Sequence, residues 1–145
     1  MPNEASVNDA HVLVENAGGV CTITFNRPEK RNAFTVGMYQ RCVDALKDAS
    51  ADPSVRVVLL TGAGNAFTSG NDVADFPNMP TDPELNPAFL LLLALLDFEK
   101  PVIAAVNGAA VGVGVTLLLH CDLVYVADNA KLLTPFVSLG LVPEG

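Results

Sequence analysis

Two glycine frames stand where this chain can do chemistry with its backbone, Gly62-Ala63-Gly64 and Gly112-Val113-Gly114. Each follows an apolar run and leads toward a segment with helical character, the setting in which a dinucleotide fingerprint cradles a pyrophosphate. Both fail that test, because the third glycine position holds Phe67 in one frame and Leu117 in the other. A nicotinamide or flavin cofactor is therefore not expected. What remains for such loops is to aim unpaired peptide N–H groups at developing negative charge, helped by the positive end of the helix that follows. Two loops of this kind can build one oxyanion hole. Spacing alone favours a plainer use, in which the glycines only permit tight turns and close helix packing.

Reactive side chains are few. Lys30-Arg31, with Arg27 nearby, forms one dense basic cluster on a chain with 8 Lys plus Arg against 16 Asp plus Glu, a formal charge of −8. That balance repels a nucleic-acid backbone, and a compact cluster suits a phosphorylated small molecule better; solvated surface charge is the plainer reading. Cys21, Cys42 and Cys121 are odd in number and widely spaced. They match no zinc or redox pattern and read as small hydrophobes in a reducing compartment. His11 and His120 are expected to be packed or surface imidazoles. Asp72 reads as a helix N-cap or first-turn acid, Asp122 as an anchor for local backbone, and Glu144, on its type and place alone, as an exposed loop carboxylate.

The elements that must position these groups follow from pattern. Residues 11–16 and 20–26 are strand-like runs about Ala17-Gly18-Gly19, the second alternating Cys21, Ile23 and Phe25 with Thr22 and Thr24, which predicts a β-hairpin. Thr35 can cap a helix through Met38, Cys42, Ala45, Leu46 and Ala49, ended by Asp52-Pro53. Residues 55–60 predict a central parallel strand, 61–71 a loop, and 72–76 a short helical turn. Pro77, Pro80, Pro83 and Pro87 predict a mobile surface loop over 77–87 with no regular structure. A buried helix over 87–98 follows, then strand 102–106, loop 107–112, helix 113–120, strand 123–126 and a short strand near 131–133. Strand, Gly-rich loop and helix thus occur twice, which predicts an α/β fold of parallel strands with covering helices.

Composition sets the outer limits. The chain has 145 residues, 50% of them hydrophobic and 17% charged, which points to one compact domain and away from disorder or a charged coiled coil. The apolar run 88–96 is far short of the roughly 20 residues of a membrane span, and 102–119 is broken by Asn107, Gly108, Gly112 and Gly114. No membrane association is expected. The start is acidic, without the apolar core of a secretory signal or the arginines of a transit peptide, so a cytoplasmic protein is expected. A peroxisomal or mitochondrial site stays open for a eukaryotic source.

Five runs carry a family resemblance: Asn26-Arg27-Pro28-Glu29-Lys30-Arg31-Asn32-Ala33; Gly62 through Asp72, with Thr68-Ser69-Gly70-Asn71-Asp72 at its end; Lys100 through Gly108; Cys121-Asp122-Leu123-Val124-Tyr125; and Leu139-Gly140-Leu141-Val142-Pro143-Glu144-Gly145. In this order and spacing they resemble the enoyl-CoA hydratase/isomerase (crotonase) superfamily over nearly the whole chain. The resemblance implies an α/β, ClpP-like superhelix of repeated ββα units with parallel sheets, commonly a homotrimer or a pair of trimers. It implies an acyl-coenzyme A thioester substrate whose carbonyl oxygen becomes an enolate between two backbone N–H groups, by position those of Asn71 and Val113. Glycine is usual at the second of these; valine keeps the N–H. Lys30, Arg31 and Ala33 match the segment that receives the nucleotide end of coenzyme A, and Thr68, Ser69, Gly70, Asn71, Asp72 and Phe136 match the rest of the substrate site. No metal or separate cofactor is implied, since coenzyme A belongs to the substrate.

The same resemblance separates reactions. Hydratases of the family use two glutamates, whose positions here hold Thr116 and Phe136, and neither side chain is a general acid or base near neutral pH. Glu144 remains, and its Pro-Glu-Gly setting resembles the peroxisomal-type 3-enoyl-CoA to 2-trans-enoyl-CoA isomerases. One carboxylate suffices there, removing a C2 proton and returning it at C4, and an apolar wall of Phe136 and Leu139 would raise its pKa to suit both steps. An enoyl-CoA hydratase or related lyase is the enzymatic alternative; a noncatalytic acyl-CoA-binding or assembly module is the alternative of another class. The family continues well past the Pro-Glu-Gly motif, so residues 1–145 are expected to form the N-terminal core of one domain that lacks its C-terminal helical region.

Overall fold

A computed structural model describes residues 10–143. The predicted hairpin is present as β1 (Val12–Ala17) and β2 (Val20–Phe25), antiparallel with Val12 opposite Phe25. Cys21, Ile23 and Phe25 are buried, as their alternation requires. Helix α1 (Val36–Ala51) begins where Thr35 Oγ1 accepts the amide of Met38 at 3.2 Å. Its far end is closed from a distance: Lys100 Nζ donates to the carbonyls of Ala49 at 2.6 Å and Asp52 at 2.7 Å, so a cation meets the negative end of the helix.

Strands β3 (Val57–Gly62), β5 (Val102–Val106) and β7 (Leu123–Val126) run parallel to β2, giving one sheet in the order β1-β2-β3-β5-β7. Asp122, expected to fix local backbone, instead ties β7 to β5 across 20 residues, its Oδ2 accepting the Val102 amide at 2.7 Å while its own amide donates to the Val102 carbonyl at 2.8 Å. The main core lies between this sheet and the helices, and α1 packs against α2 (Pro87–Leu96). Asn86 caps α2 through the Ala88 amide.

Several expectations change. The stretches 61–71 and 107–112, read as loops, contain the short strands β4 (Ala66–Thr68) and β6 (Ala109–Val111), which join β8 (Leu132–Leu133) in a second, parallel sheet of order β4-β6-β8. Three residues of mostly small side chains carry no periodic signal, and their pairing is wholly non-local. Helix α2 is buried only through Ala88, Leu91, Leu92 and Leu95; Leu90, Leu93 and Leu96 face outward. The proline-rich stretch holds two 3-10 turns, Phe76–Asn78 and Pro83–Leu85.

The predicted helix over 113–120 is four α-helical residues, α3 (Val113–Thr116), continued as a 3-10 turn over Leu117–His120. All four residues of β7 are exposed, as are Leu132 and Leu133 of β8. Cys21, Cys42 and Cys121 are thiols, not disulfides. Burial pushes the Cys21 thiol up and the Cys121 thiol up to about 12, with Asp122 adding to the latter, so both stay protonated. Among the described residues no helix is long and apolar enough to cross a membrane.

Candidate active site

The basic segment is held from beneath by Asn32. After a 3-10 turn at Pro28–Lys30 the chain passes through two successive left-handed residues, Arg31 (φ 50°) and Asn32 (φ 56°). Asparagine tolerates that conformation better than most residues. The Asn32 side chain has no exposed surface; its Nδ2 lies 2.9, 2.8 and 3.3 Å from the carbonyls of Ala63, Ala66 and Phe67, and its Oδ1 accepts the Arg27 amide at 2.8 Å. This turn leaves Lys30 and Arg31 exposed and Ala33 half-buried.

Arg27 does not belong with that exposed charge. Its Nη1 donates to Asp72 Oδ2 at 2.6 Å and to the Ala33 carbonyl at 3.2 Å, so of the three basic residues expected to form one cluster it is the one turned inward. The bond from Arg27, and then the Ala74 amide on Oδ1, hold the Asp72 carboxyl below the usual aspartate range. Asp72 is therefore a fastening between two segments as well as a turn residue.

The loop that leaves β4 is stitched to the same segment. Ser69 donates its amide to the Arg31 carbonyl at 2.9 Å and its hydroxyl to the Lys30 carbonyl at 3.3 Å. Thr68, wholly buried, donates its hydroxyl to the Asn32 carbonyl at 2.7 Å and accepts the Gly70 amide, so its side chain holds the loop. Phe34 brackets Asn71: its amide donates to the Gly70 carbonyl at 2.8 Å, and its carbonyl accepts the Asp72 amide at 2.9 Å. Tyr39, on α1, donates its hydroxyl to Asn71 Oδ1.

The first glycine frame is held by Asn107, from the corner between β5 and β6: its Oδ1 accepts the Gly62 amide at 3.1 Å and its Nδ2 donates to the carbonyls of Gly64 and Ala66. The two loops are pressed together. A methyl group on Gly70 would come within 2.8 Å of the Val111 carbonyl oxygen, and one on Gly114 within 2.6 Å of Thr68 Cγ2. Glycine is required at both for this approach. Val113 opens α3 with a buried side chain. Among the described residues, the amides of Asn71 and Val113 have no hydrogen-bond acceptor. Two adjacent loops, each with an unengaged N–H, are what an oxyanion site consists of.

The remaining expected residues are placed as follows. Thr116 is buried, its hydroxyl 3.4 Å from the Val113 carbonyl of its own helix. Phe136 is buried at the start of a 3-10 turn, Val137–Leu139, whereas Leu139 is exposed. Glu144 lies outside the described residues. Sequence reading missed Tyr39, Asn107 and the inward role of Arg27, since nothing local distinguishes a polar side chain that bonds across dozens of residues from one facing solvent.

Comparison with known proteins bears on the family and the fold. The enoyl-CoA hydratase/isomerase family model matches residues 15–145. Enoyl-CoA delta isomerase 2 of Rattus norvegicus is 45% identical over 139 residues, covering 92% of this chain and 35% of that protein. The peroxisomal enoyl-CoA delta isomerase 3 of Mus musculus is 38% identical, covering 98% of this chain and 46% of that protein. The solved structure of OdaA from Pseudomonas aeruginosa superposes with a TM-score of 0.88 at 53% identity, covering 92% of this chain and 54% of that one. The chain thus spans between a third and about half of these relatives' length. Its two sheets, parallel apart from the β1–β2 hairpin, are those of the crotonase fold, and with the family model matched over nearly its whole length, the chain belongs to the enoyl-CoA hydratase/isomerase family.

Proposed function

We propose that this protein converts 3-enoyl-CoA thioesters to their 2-trans isomers. The observation that carries the reading is the pair of unengaged amides, Asn71 N–H and Val113 N–H, on two loops held in contact. A thioester carbonyl oxygen placed between them gains hydrogen bonds that strengthen as negative charge develops, which favours the enolate over the bound ground state. Glu144 takes the proton from C2; the electrons of that C–H bond form a C1–C2 double bond as the carbonyl π pair moves onto oxygen, giving a dienolate. The same carboxyl returns the proton at C4 on the C3–C4 π pair as the C1–C2 pair shifts to C2–C3 and the carbonyl re-forms. Nothing is oxidised or reduced overall, so the step calls for no redox cofactor.

Thr116 and Phe136 support isomerisation over hydration, because neither supplies the carboxylate that activating a water requires. The names of the rodent relatives point the same way. Exposed Lys30 and Arg31 give a local positive site on an acidic chain for the phosphates of coenzyme A, with Ala33, Ser69 and Gly70 in the adjoining, hydrogen-bonded backbone. A homotrimer or a pair of trimers is the assembly we expect.

The test is Glu144→Gln assayed with 3-enoyl-CoA by the rise in ultraviolet absorbance of the conjugated thioester. Isomerisation is expected to fall at least a thousandfold while thioester affinity stays within a fewfold. Full turnover by the variant overturns the assignment of the base, and wild-type protein that hydrates 2-enoyl-CoA without isomerising the 3-enoyl substrate overturns the reaction.

A further inference from the structure

We infer that Tyr39 is a positioning residue for the oxyanion amide of Asn71, an inference that rests on the oxyanion reading above. Tyr39 has no exposed surface, so it does not itself touch substrate. Its hydroxyl donates to Asn71 Oδ1 across 32 residues of sequence, and its ring stacks on Phe34 with centroids 4.7 Å apart and planes at 27°. Phe34 meets Phe25 edge-on at 4.8 Å, and Phe25 meets Phe67 at 5.2 Å, so the hydroxyl stands at the end of an aromatic column that ties α1 to β2 and β4.

Asn71 is thereby gripped on three sides. Phe34 bonds the peptide groups on either side of it through the Gly70 carbonyl and the Asp72 amide, and Tyr39 takes its side chain. The peptide N–H between those grips is the group without an acceptor.

The side-chain grip matters because Asn and Asp in loops compete for backbone amides two residues on. The next residue does this: Asp72 Oδ1 accepts the Ala74 amide at 3.0 Å. With its Oδ1 engaged by Tyr39, Asn71 is kept out of the same turn, which would swing its side chain toward the Val73 amide and reset the backbone torsions next to the catalytic N–H. Tyr39 acts through Asn71, and its contribution to rate is the fixed direction of one hydrogen bond.

The test uses Tyr39→Phe in the full-length protein, which keeps the ring stack and removes the hydroxyl alone. The carbonyl stretch of a bound, unreactive acyl-CoA thioester, followed by difference infrared spectroscopy, reports the hydrogen bonds to the oxygen whatever reaction follows. In wild type it shifts to lower frequency on binding; in Tyr39→Phe about half of that shift is expected to be lost, with kcat down about tenfold and KM and the thermal midpoint little changed. Adding Tyr39→Phe to Asn71→Ala is expected to cost nothing further, since the intermediary is gone. An unchanged carbonyl shift in Tyr39→Phe, or an equal loss in the Asn71→Ala background, overturns the inference. Wild-type protein that shifts the carbonyl but does not isomerise overturns the reaction and leaves the Tyr39 result standing; one that binds thioester with no shift overturns both.

Discussion

The guanidinium of Arg27 and the carboxylate of Asp72 meet at 2.6 Å across 45 residues of sequence, joining the segment that carries Lys30 and Arg31 to the loop that carries Asn71. The pair is mostly covered, with side-chain exposures of 15% and 18%, and Arg27 reaches the Ala33 carbonyl as well.

Arg27→Met is expected to cost about 1–2 kcal/mol, the loss of charge-assisted hydrogen bonds at a partly covered site, measured by chemical denaturation. The pH dependence follows from Asp72, whose folded pKa is depressed by Arg27 and by the Ala74 amide. A depressed carboxyl contributes stability that is fully present above the unfolded value of about 4 and is lost as pH falls through the folded value. The stability gap between wild type and Asp72→Asn should accordingly be constant from about pH 6 to 8 and close below about pH 4. A gap independent of pH would show that the ion pair contributes nothing.

Gly114→Ala forces a methyl group against Thr68 Cγ2, and Thr68 cannot turn aside without losing its bond to the Asn32 carbonyl. Overpacking of this kind costs about 1–3 kcal/mol. More telling is activity, expected to fall by about a hundredfold as the Asn71 and Val113 loops part. Thr68→Ser removes Cγ2 and keeps the hydroxyl, so the double variant should recover most of the lost rate. Failure of that rescue would place the harm of Gly114→Ala elsewhere.

Asn32→Ala leaves the carbonyls of Ala63, Ala66 and Phe67 without their side-chain donor and is expected to destabilise by about 2–5 kcal/mol. Asn32→Asp is nearly the same size but turns acceptor oxygens toward those carbonyls, so it should be worse than the alanine at neutral pH. Thermal melting of the two variants checks the order; the reverse order would mean that filling the space matters more than the donor.

Much of the framework could be read from local pattern. The alternation in β2, the Thr35 cap, the Pro53 stop and the apolar run of β5 each rest on residues adjacent in the chain, and each element lies where they place it. The short strands β4 and β6 could not be read this way, because their identity depends on partners such as Ala66 with Ala109 and on no spacing of their own. Buried polar residues were the other blind spot. Asn32, Asn107 and Arg27 look like surface residues until the carbonyls and the carboxylate they meet are brought to them.

By itself the sequence determined the chemical inventory. It carries glycine frames that cannot be dinucleotide loops, a threonine and a phenylalanine at the positions that the resemblance matches to the hydratase glutamates, and a glutamate in a Pro-Glu-Gly setting. Only the tertiary structure decided which amides are left over. An N–H is unengaged only if every acceptor within reach is already placed or turned away, and for Asn71 those neighbours come from Phe34 and Tyr39 as well as from its own loop. Residue type governs what a group can do; the packing of distant segments governs which group is left free to do it.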